Sequence, residues 1–396
     1  MQKYIEKNKC RVCGSALVET LDLNEQPLAN SYHKGEKLHR FPLKLNTCQE
    51  CQHCQLSAVV NPDLMFKDYL YVSGTSKTLH EYFSHFTFLC EGYTTNRTVL
   101  DIACNDGTQL DKFKLIGWET YGVDPAENLF PISSKNHNVV CEYWNEQVAK
   151  SFDKQFGVII AQNVFAHVDD IHGFLKACIH VMDDESHLFI QTSQADMILN
   201  NEFDTIYHEH LSFFNAKSMK KCANLNGFSL VDVFKTEVHG GSYVFVLKRG
   251  EYAETVAKIF IQKEENDGLY EMSTYVEYSK KCEDVVLNLK QKIEQFKNAG
   301  FKVVGYGAAA KGNTLLNFAE IDLDYIVDDN PLKCGLKTPG RNIDIKNPKV
   351  LKEEDPEKTV IVPLAWNFFK EISEKTIKIM DSKPKFIKYF PEVKII

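Results

Sequence analysis

Four consecutive residues, Tyr207-His208-Glu209-His210, bring together a phenol, two imidazoles and a carboxylate. Histidine titrates nearest neutral pH, and a neighbouring carboxylate orients the ring and stabilises its protonated form, so the pattern fits a general base. The same residue types bind metals, but the spacing is not His-Glu-x-x-His and nothing else points to water activation. The competing structural reading is a half-buried polar cluster with its groups satisfied. His167, in QNVFAHV, follows a strand-like run, where a single histidine packs more often than it reacts. His239-Gly240-Gly241-Ser242 sets a ring and a hydroxyl around two flexible residues. Such a loop brings backbone amides to a ligand, or simply turns a hairpin.

Two Cys-x-x-Cys pairs, Cys10/Cys13 and Cys48/Cys51, have the spacing of a four-thiolate zinc site. Four thiolates leave no open coordination position, so the metal is expected to be structural. Cys54 offers a competing register with Cys51; Cys48 and Cys51 are preferred as ligands, with Cys54 free. A chance pairing of thiol clusters is the bland alternative.

Two strand–turn–helix units surround these residues. In the first, VLDIACNDGTQL (Val99–Leu110) is followed by YGVDP (Tyr121–Pro125). Each strand ends in an acid, Asp101 and then Asp124. The turn between strand and helix, Ala103-Cys104-Asn105-Asp106-Gly107, lacks the tight glycine pattern of a pyrophosphate site. Two acids and an asparagine suit a cationic ligand with a ribose, and S-adenosylmethionine is the common cofactor of that description. In the second unit, Gly305-x-Gly307-x-x-Ala310 lies between a strand and a helix, with Asp322 and Asp324 downstream. It predicts a diphosphate at a helix N-terminus, with Lys311 adding charge. That diphosphate belongs either to NAD or to a nucleotide-diphospho-sugar.

The elements that position these groups alternate strand and helix. Val99–Ile102, Thr120–Val123, Phe156–Gln162, His187–Gln191 and Ser242–Leu247 read as strands. Tyr278, Cys282, Val285, Leu289, Ile293 and Phe296 recur at three- and four-residue steps, the period of an amphipathic helix that Gly300 stops. A second set of strands begins at Lys302 and continues at Asp324–Val327 and Thr359–Pro363. With 396 residues, about two to three domains are expected. Charged residues make up 25% and apolar ones 44%, as in ordinary globular chains. A net charge of −8 and the lack of a dense basic stripe argue against nucleic acid as a partner. No apolar run approaches the ~20 residues of a spanning helix, so no membrane is expected. Twelve cysteines without a secretory segment predict thiols or metal ligands in the cytoplasm.

These pieces in order resemble the three-domain sugar C-methyltransferases that act on nucleotide-linked 4-keto-deoxysugars. The blocks that carry the resemblance are the paired Cys-x-x-Cys, YLYVSGTSKT, DIACNDGTQL, GVDPAEN, NVFAHV, FDTIYHEHLSFF, HGGS, GYGAAAKGNTLLNF, DDNPLKCG and LAWNF. The resemblance implies an α/β architecture of three parts. Residues 1–70 would form a small zinc-binding domain. Residues 71–250 would form a Rossmann-like S-adenosylmethionine domain, and 251–396 a connecting helix with a second Rossmann-like domain for the nucleotide-diphospho-4-keto-sugar.

It also implies residue roles. His210 becomes the base, supported by Tyr207, Glu209, His167 and, from the YxYxS block, Tyr71. Asp101, Ala103, Asn105, Asp106, Gly107, Asp124, Pro125, Asn163 and Ala166 fall to the cofactor, with Asp124 on the ribose hydroxyls and Asp101 near the amino-acid moiety. His239, Gly240, Gly241 and Ser242 fall to the substrate, with Tyr306, Ala308, Ala309, Ala310, Lys311, Asn313, Trp366 and Asn367. The chain departs from the family pattern at two positions. Ala103 stands in place of a glycine, a change expected to be mild, and Gln52 replaces the glycine after the second cysteine pair. The rival enzyme, an NAD-dependent nucleotide-sugar oxidoreductase built on Gly305–Ala310, leaves the first turn and Tyr207–His210 without a task. A zinc-ribbon binding module accounts only for the first segment.

Overall fold

The computed structural model describes residues 3–66, 72–75, 77–192 and 195–396, and of Thr75, Lys77, Ala195 and His239 only the main chain. Tyr71 lies outside the described residues.

The apolar runs of the central region form a seven-stranded sheet. Its order is Phe228–Thr236, Ser242–Arg249, His187–Thr192, Val158–Gln162, Thr98–Ile102, Glu119–Val123 and Asn138–Val140. The last five pair in parallel, and Ser242–Arg249 runs antiparallel to both neighbours. Parallel strands are covered on both faces, which is why Val158–Ala161 and His187–Thr192 are buried at every position. The chain starts in the middle, at Thr98–Ile102, goes outward through Glu119–Val123 and Asn138–Val140, then crosses to Val158–Gln162. This reversal opens a crevice at the carboxyl ends of Thr98–Ile102 and Val158–Gln162. The strand Phe228–Thr236 is absent from the sequence reading. Asp232 and Lys235 break its alternation, and a register shift between Leu230 and Asp232 accommodates the break.

The C-terminal region repeats the arrangement in a six-stranded sheet, ordered Ile345–Lys346, Tyr325–Val327, Lys302–Tyr306, Thr359–Pro363, Lys385–Lys388 and Lys394–Ile395. Its reversal lies beside the end of Lys302–Tyr306.

The N-terminal region forms a four-stranded antiparallel sheet from Leu17–Gln26, Phe41–Cys48, Cys54–Leu56 and, from far along the chain, Ser212–Phe213. The residues just after Tyr207–His210 therefore complete the sheet of the cysteine-rich domain, with Ser212 opposite Gln55 and Phe213 opposite Cys54. The helix Met272–Asn298 follows the predicted period and buries Tyr275, Tyr278, Cys282, Val285, Leu289 and Ile293. Those side chains join Leu23 and Leu45 of the N-terminal sheet, and Val303 and Ile326 of the C-terminal one, in a single apolar core.

Candidate active site

Asp101 and Asp124 end neighbouring parallel strands, and the turn that follows Asp101 is folded onto Asp124. The Asp124 carboxylate accepts from the amides of Asn105 and Ala126, each at 2.8 Å. The turn reverses through left-handed residues: Ala103 at φ 66°, Asn105 at φ 52° and Gly107 at φ 83°. Ala103 is therefore more than the mild change expected, because an alanine at this φ is strained where glycine is not. Gln52 behaves alike, at φ 61° beside Cys51.

A second segment closes over the turn. The amides of Ser73 and Gly74 donate to the Asn105 and Asp106 side chains at 3.0 and 2.9 Å. A Cβ on Gly74 would stand 2.6 Å from both Asp106 Oδ2 and Thr108 Oγ1, so any larger residue would have to displace both side chains. Ser73 and Gly74 carry no chemical signal of their own in the sequence, although both belong to the quoted YLYVSGTSKT block.

The chemistry of this donor set fits a cationic, ribose-bearing cofactor. Asp101 is buried, and among the described residues no donor reaches its carboxylate. Burial first, then the nearby Asp124 and Asp106 charges, push its pKa well above the usual carboxylate range. A cationic ligand beside it would supply the missing partner. Asn163, at φ 54°, stands across the crevice with its amide on the Gln191 carbonyl at 2.8 Å. Pro125 directly follows Asp124, and Ala166 is buried behind the turn after Val158–Gln162.

The histidines meet beyond Ala166. Its carbonyl accepts from the Leu211 amide at 2.7 Å, which sets Tyr207–His210 against Phe165–His167. The His210 ring lies 4.1 Å from the Tyr207 ring and 5.2 Å from the His167 ring, centroid to centroid. His210 Nδ1 bonds the Thr205 carbonyl at 2.8 Å. A carbonyl only accepts, so Nδ1 carries the proton and Nε2 the lone pair. His167 Nε2 is buried with no partner among the described residues, and burial pushes its pKa down to about 4. Glu209 is buried and accepts from Asn30 of the N-terminal domain at 2.6 Å. His208 points elsewhere, onto the Phe41 carbonyl at 3.3 Å and edge-on to the Phe41 ring.

Cys10, Cys13, Cys48 and Cys51 place their sulfurs within 4.8 Å of one another, with Cys10–Cys51 and Cys13–Cys48 at 3.5 Å. Zinc–sulfur bonds of ~2.3 Å in a tetrahedron require sulfur separations of ~3.8 Å, so the four thiols fit the ion. Cys54 is buried away from them, 3.5 Å from Thr47 Oγ1. The clustering of these four sulfurs favours the Cys48/Cys51 register.

In the C-terminal domain the acid at the end of the second strand is Asp328, not Asp322 or Asp324. Asp322 pairs with Arg341 at 2.6 Å, and Asp324 accepts from Val303 at the strand's start. The carbonyl of Ala308 is taken by the Tyr32 hydroxyl and, at 2.7 Å, by Lys333. Asn313 donates to Ala29 at 2.8 Å and so ties the N-terminal domain to the Ala310–Ala319 helix. Tyr306 is buried, its hydroxyl 3.3 Å from Asp329. Ala309 and Ala310 open that helix. Lys311, Trp366 and Asn367 instead gather on the His239–Ser242 loop. The Gly240 Cβ position lies 3.3 Å from Lys311 Nζ, 3.5 Å from the Trp366 ring and 3.8 Å from Asn367 Cβ. Lys311 sits over the Trp366 ring, whose Nε1 donates to buried Asp204 at 2.8 Å. Gly241, at φ 108°, turns this loop, and the Ser242 hydroxyl closes it onto the Val238 carbonyl at 3.3 Å.

Three family models match in chain order: a zinc binding domain over residues 10–66, a methyltransferase domain over 76–233, and a C-methyltransferase C-terminal domain over 237–391. The C-methyltransferase NovU of Streptomyces niveus is 28% identical, with 98% of this chain and 97% of that protein covered. The chain is a three-domain, S-adenosylmethionine-dependent C-methyltransferase. The methyltransferase also shares 26% identity with the mitochondrial ubiquinone biosynthesis O-methyltransferase of Bos taurus, over 24% of this chain and 28% of that protein. A solved S-adenosylmethionine-dependent methyltransferase from Archaeoglobus fulgidus is 19% identical, covering 43% of this chain and 94% of that one, with a TM-score of 0.35. Among the described residues, no helix of the methyltransferase is long and apolar enough to cross a membrane.

Proposed function

We propose that this C-methyltransferase alkylates the carbon beside a ketone, C3 of a nucleotide-linked 4-keto-deoxysugar, with His210 as the base. The observation that carries the reading is the bond from His210 Nδ1 to the Thr205 carbonyl, which leaves Nε2 as the proton-accepting atom. A 4-keto group acidifies the neighbouring C–H. His210 Nε2 takes that proton, and the electron pair of the broken bond delocalises into the carbonyl as an enolate.

Tyr207 and His167 are the donors nearest the base, and they stabilise the oxygen on which charge develops. Low basicity keeps His167 neutral, so it donates without adding a cation beside the protonated His210. Glu209, anchored by Asn30, holds the segment from behind. Asp124 and Asp101 hold the cofactor's ribose and cationic end. When bound, S-adenosylmethionine would supply an electrophilic methyl group, its S–CH3 bond breaking as the C–C bond forms and the sulfur leaving as the neutral thioether of S-adenosylhomocysteine. Lys311, Trp366 and Asn367, gathered on the Gly240 loop, provide a cation and ring surface for the nucleotide-diphosphate portion.

The enzyme belongs, on this reading, in the cytoplasm, which the twelve unbridged cysteines support. The test is an assay of purified enzyme with S-adenosylmethionine and a panel of TDP-, GDP-, CDP- and UDP-linked 4-keto sugars. Methylated product from one of them is expected; methylation of none, with active enzyme on a non-sugar ketone, refutes the reading.

A further inference from the structure

A buried arginine sits between the first two zinc ligands and reaches the chain beside both active-site histidines. Arg11 Nη1 donates to the carbonyls of Leu56 and Leu211 at 3.1 Å each, and Nε donates to Asp169 Oδ1 at 3.1 Å. Its main chain is equally fixed: the amide donates to Gln55 Oε1 at 2.7 Å, and the carbonyl accepts from His172 Nε2 at 2.9 Å.

Leu211 follows His210 directly. Its carbonyl receives a second donor, the Leu56 amide at 3.0 Å, while its own amide holds Ala166 at 2.7 Å. Asp169 stands two residues beyond His167 and is shared with Lys7 at 2.7 Å. One guanidinium thus pins the chain just past each of two rings that lie 5.2 Å apart. Hydrogen bonds to an ionised donor in a buried setting are the strong, directional class, and a guanidinium presents several in fixed geometry.

We propose that Arg11 is a positioning residue for methyl transfer: it sets the separation and orientation of His210 and His167, and the zinc knuckle serves the chemistry by holding Arg11. The proposal rests on reading His210 as the base. Near-attack geometry is sensitive enough that small displacements from a remote change slow an enzyme by about a hundredfold.

The test compares Arg11→Met, which keeps length and packing but no donors, with Arg11→Lys, which keeps the charge and a donor. In zinc-replete, full-length enzyme Arg11→Met is expected to lower kcat by about a hundredfold, with KM and S-adenosylmethionine affinity within about twofold. Arg11→Lys is expected to recover part of the loss. The second readout is nitrogen NMR of labelled histidine, in which the His210 Nδ1 signal moves in Arg11→Met while metal analysis still gives the wild-type zinc content. If Arg11→Met does not fold, Asp169→Asn carries the same comparison, since it removes the carboxylate that orients the guanidinium. Unchanged kcat and an unmoved His210 signal at full zinc content overturn the proposal, as does a loss confined to KM. Full activity in His210→Asn refutes the base reading instead, and the histidine signal alone then decides whether Arg11 positions the ring.

Discussion

Asp124 and Asp328 occupy the same structural position in two different domains. Each ends the second strand of its sheet, and each clamps the turn that follows the first. Asp124 accepts from Asn105 and Ala126 at 2.8 Å; Asp328 accepts from Ala308 at 2.6 Å and Asn330 at 2.8 Å. The turns dock alike, Ala103 onto Val123 at 2.7 Å and Gly307 onto Val327 at 2.8 Å. What separates them is what covers the turn. Ser73 and Gly74 cap the first through main-chain amides, whereas Tyr32 and Lys333 bind the Ala308 carbonyl of the second.

Only the Asp124 turn is therefore expected to bind S-adenosylmethionine. Asp124→Ala removes the acceptor for the ribose hydroxyls and frees the Asn105 amide. Hydrogen bonds to a charged group are worth ~1.5–3 kcal/mol, so affinity is expected to fall about tenfold to a hundredfold. Asp328→Ala is expected to leave it unchanged. Calorimetric titration decides, and equal affinities for wild type and Asp124→Ala rule the site out.

Ala103→Gly is expected to stabilise the enzyme. At φ 66° the Ala103 Cβ meets the following carbonyl, a conflict of roughly 1–2 kcal/mol that glycine avoids, offset in part by the greater freedom of the unfolded chain. A gain near 1 kcal/mol is expected, with cofactor affinity retained. Chemical denaturation measures it; a lower midpoint for Ala103→Gly contradicts the strain.

The zinc site gives a paired expectation. Cys48→Ser should lose metal and solubility together, because Cys48 lies among the four clustered sulfurs. Cys54→Ser should keep the metal, since that sulfur faces Thr47. Metal analysis on protein prepared without chelator separates the two; metal loss in Cys54→Ser reverses the ligand assignment.

The parts legible in the sequence are those governed by local chemistry. Apolar runs mark the central strands, three- and four-residue steps mark Met272–Asn298, and paired cysteines mark the knuckle. Long-range pairing is what the sequence conceals. Ser212–Phe213 is too short to register as a strand, and its partner Cys54–Leu56 lies in another domain. Phe228–Thr236 hides behind a register shift that breaks its alternation. Asp322 and Asp324 satisfy a spacing rule, yet Asp328 is the acid at the strand end, because Asp324 serves the strand's start. Nor does a residue type announce its φ, so the strain at Ala103 emerges only from the turn. Arg11 reads in the sequence as filler between two cysteines.

Acid should leave His167 neutral well below the ordinary histidine range. Its pKa falls from 6.5 to about 4 because burial disfavours the charged ring. Its carbon-bound proton signals are expected to stay constant from pH 8 down to about 5 and to move only below that. The sign for stability follows: a depressed histidine contributes fully above 6.5 and loses that contribution as pH falls toward 4. A titration midpoint near 6.5 would show the ring to be solvated.

Replacing the base gives the sharpest test of the chemistry. His210→Asn keeps a polar side chain in place of the ring but cannot take up a proton near neutral pH, and general-base removal typically lowers rates ~10²–10⁴-fold. Cofactor binding should persist, because the Asp124 turn is a separate structure from the Tyr207–His210 segment. Wild-type enzyme should also wash deuterium from C3 of a 4-keto sugar into solvent while methyl transfer is blocked, and His210→Asn should not. His208→Asn is the control within the same four residues. Its ring is buried against Phe41 and bonded to the Phe41 carbonyl, so the variant should lose stability while exchange per folded molecule stays near wild type. Equal exchange by wild type and His210→Asn would assign the proton transfer to another group, and His167, 5.2 Å away with an Nε2 that has no partner among the described residues, is the next to replace.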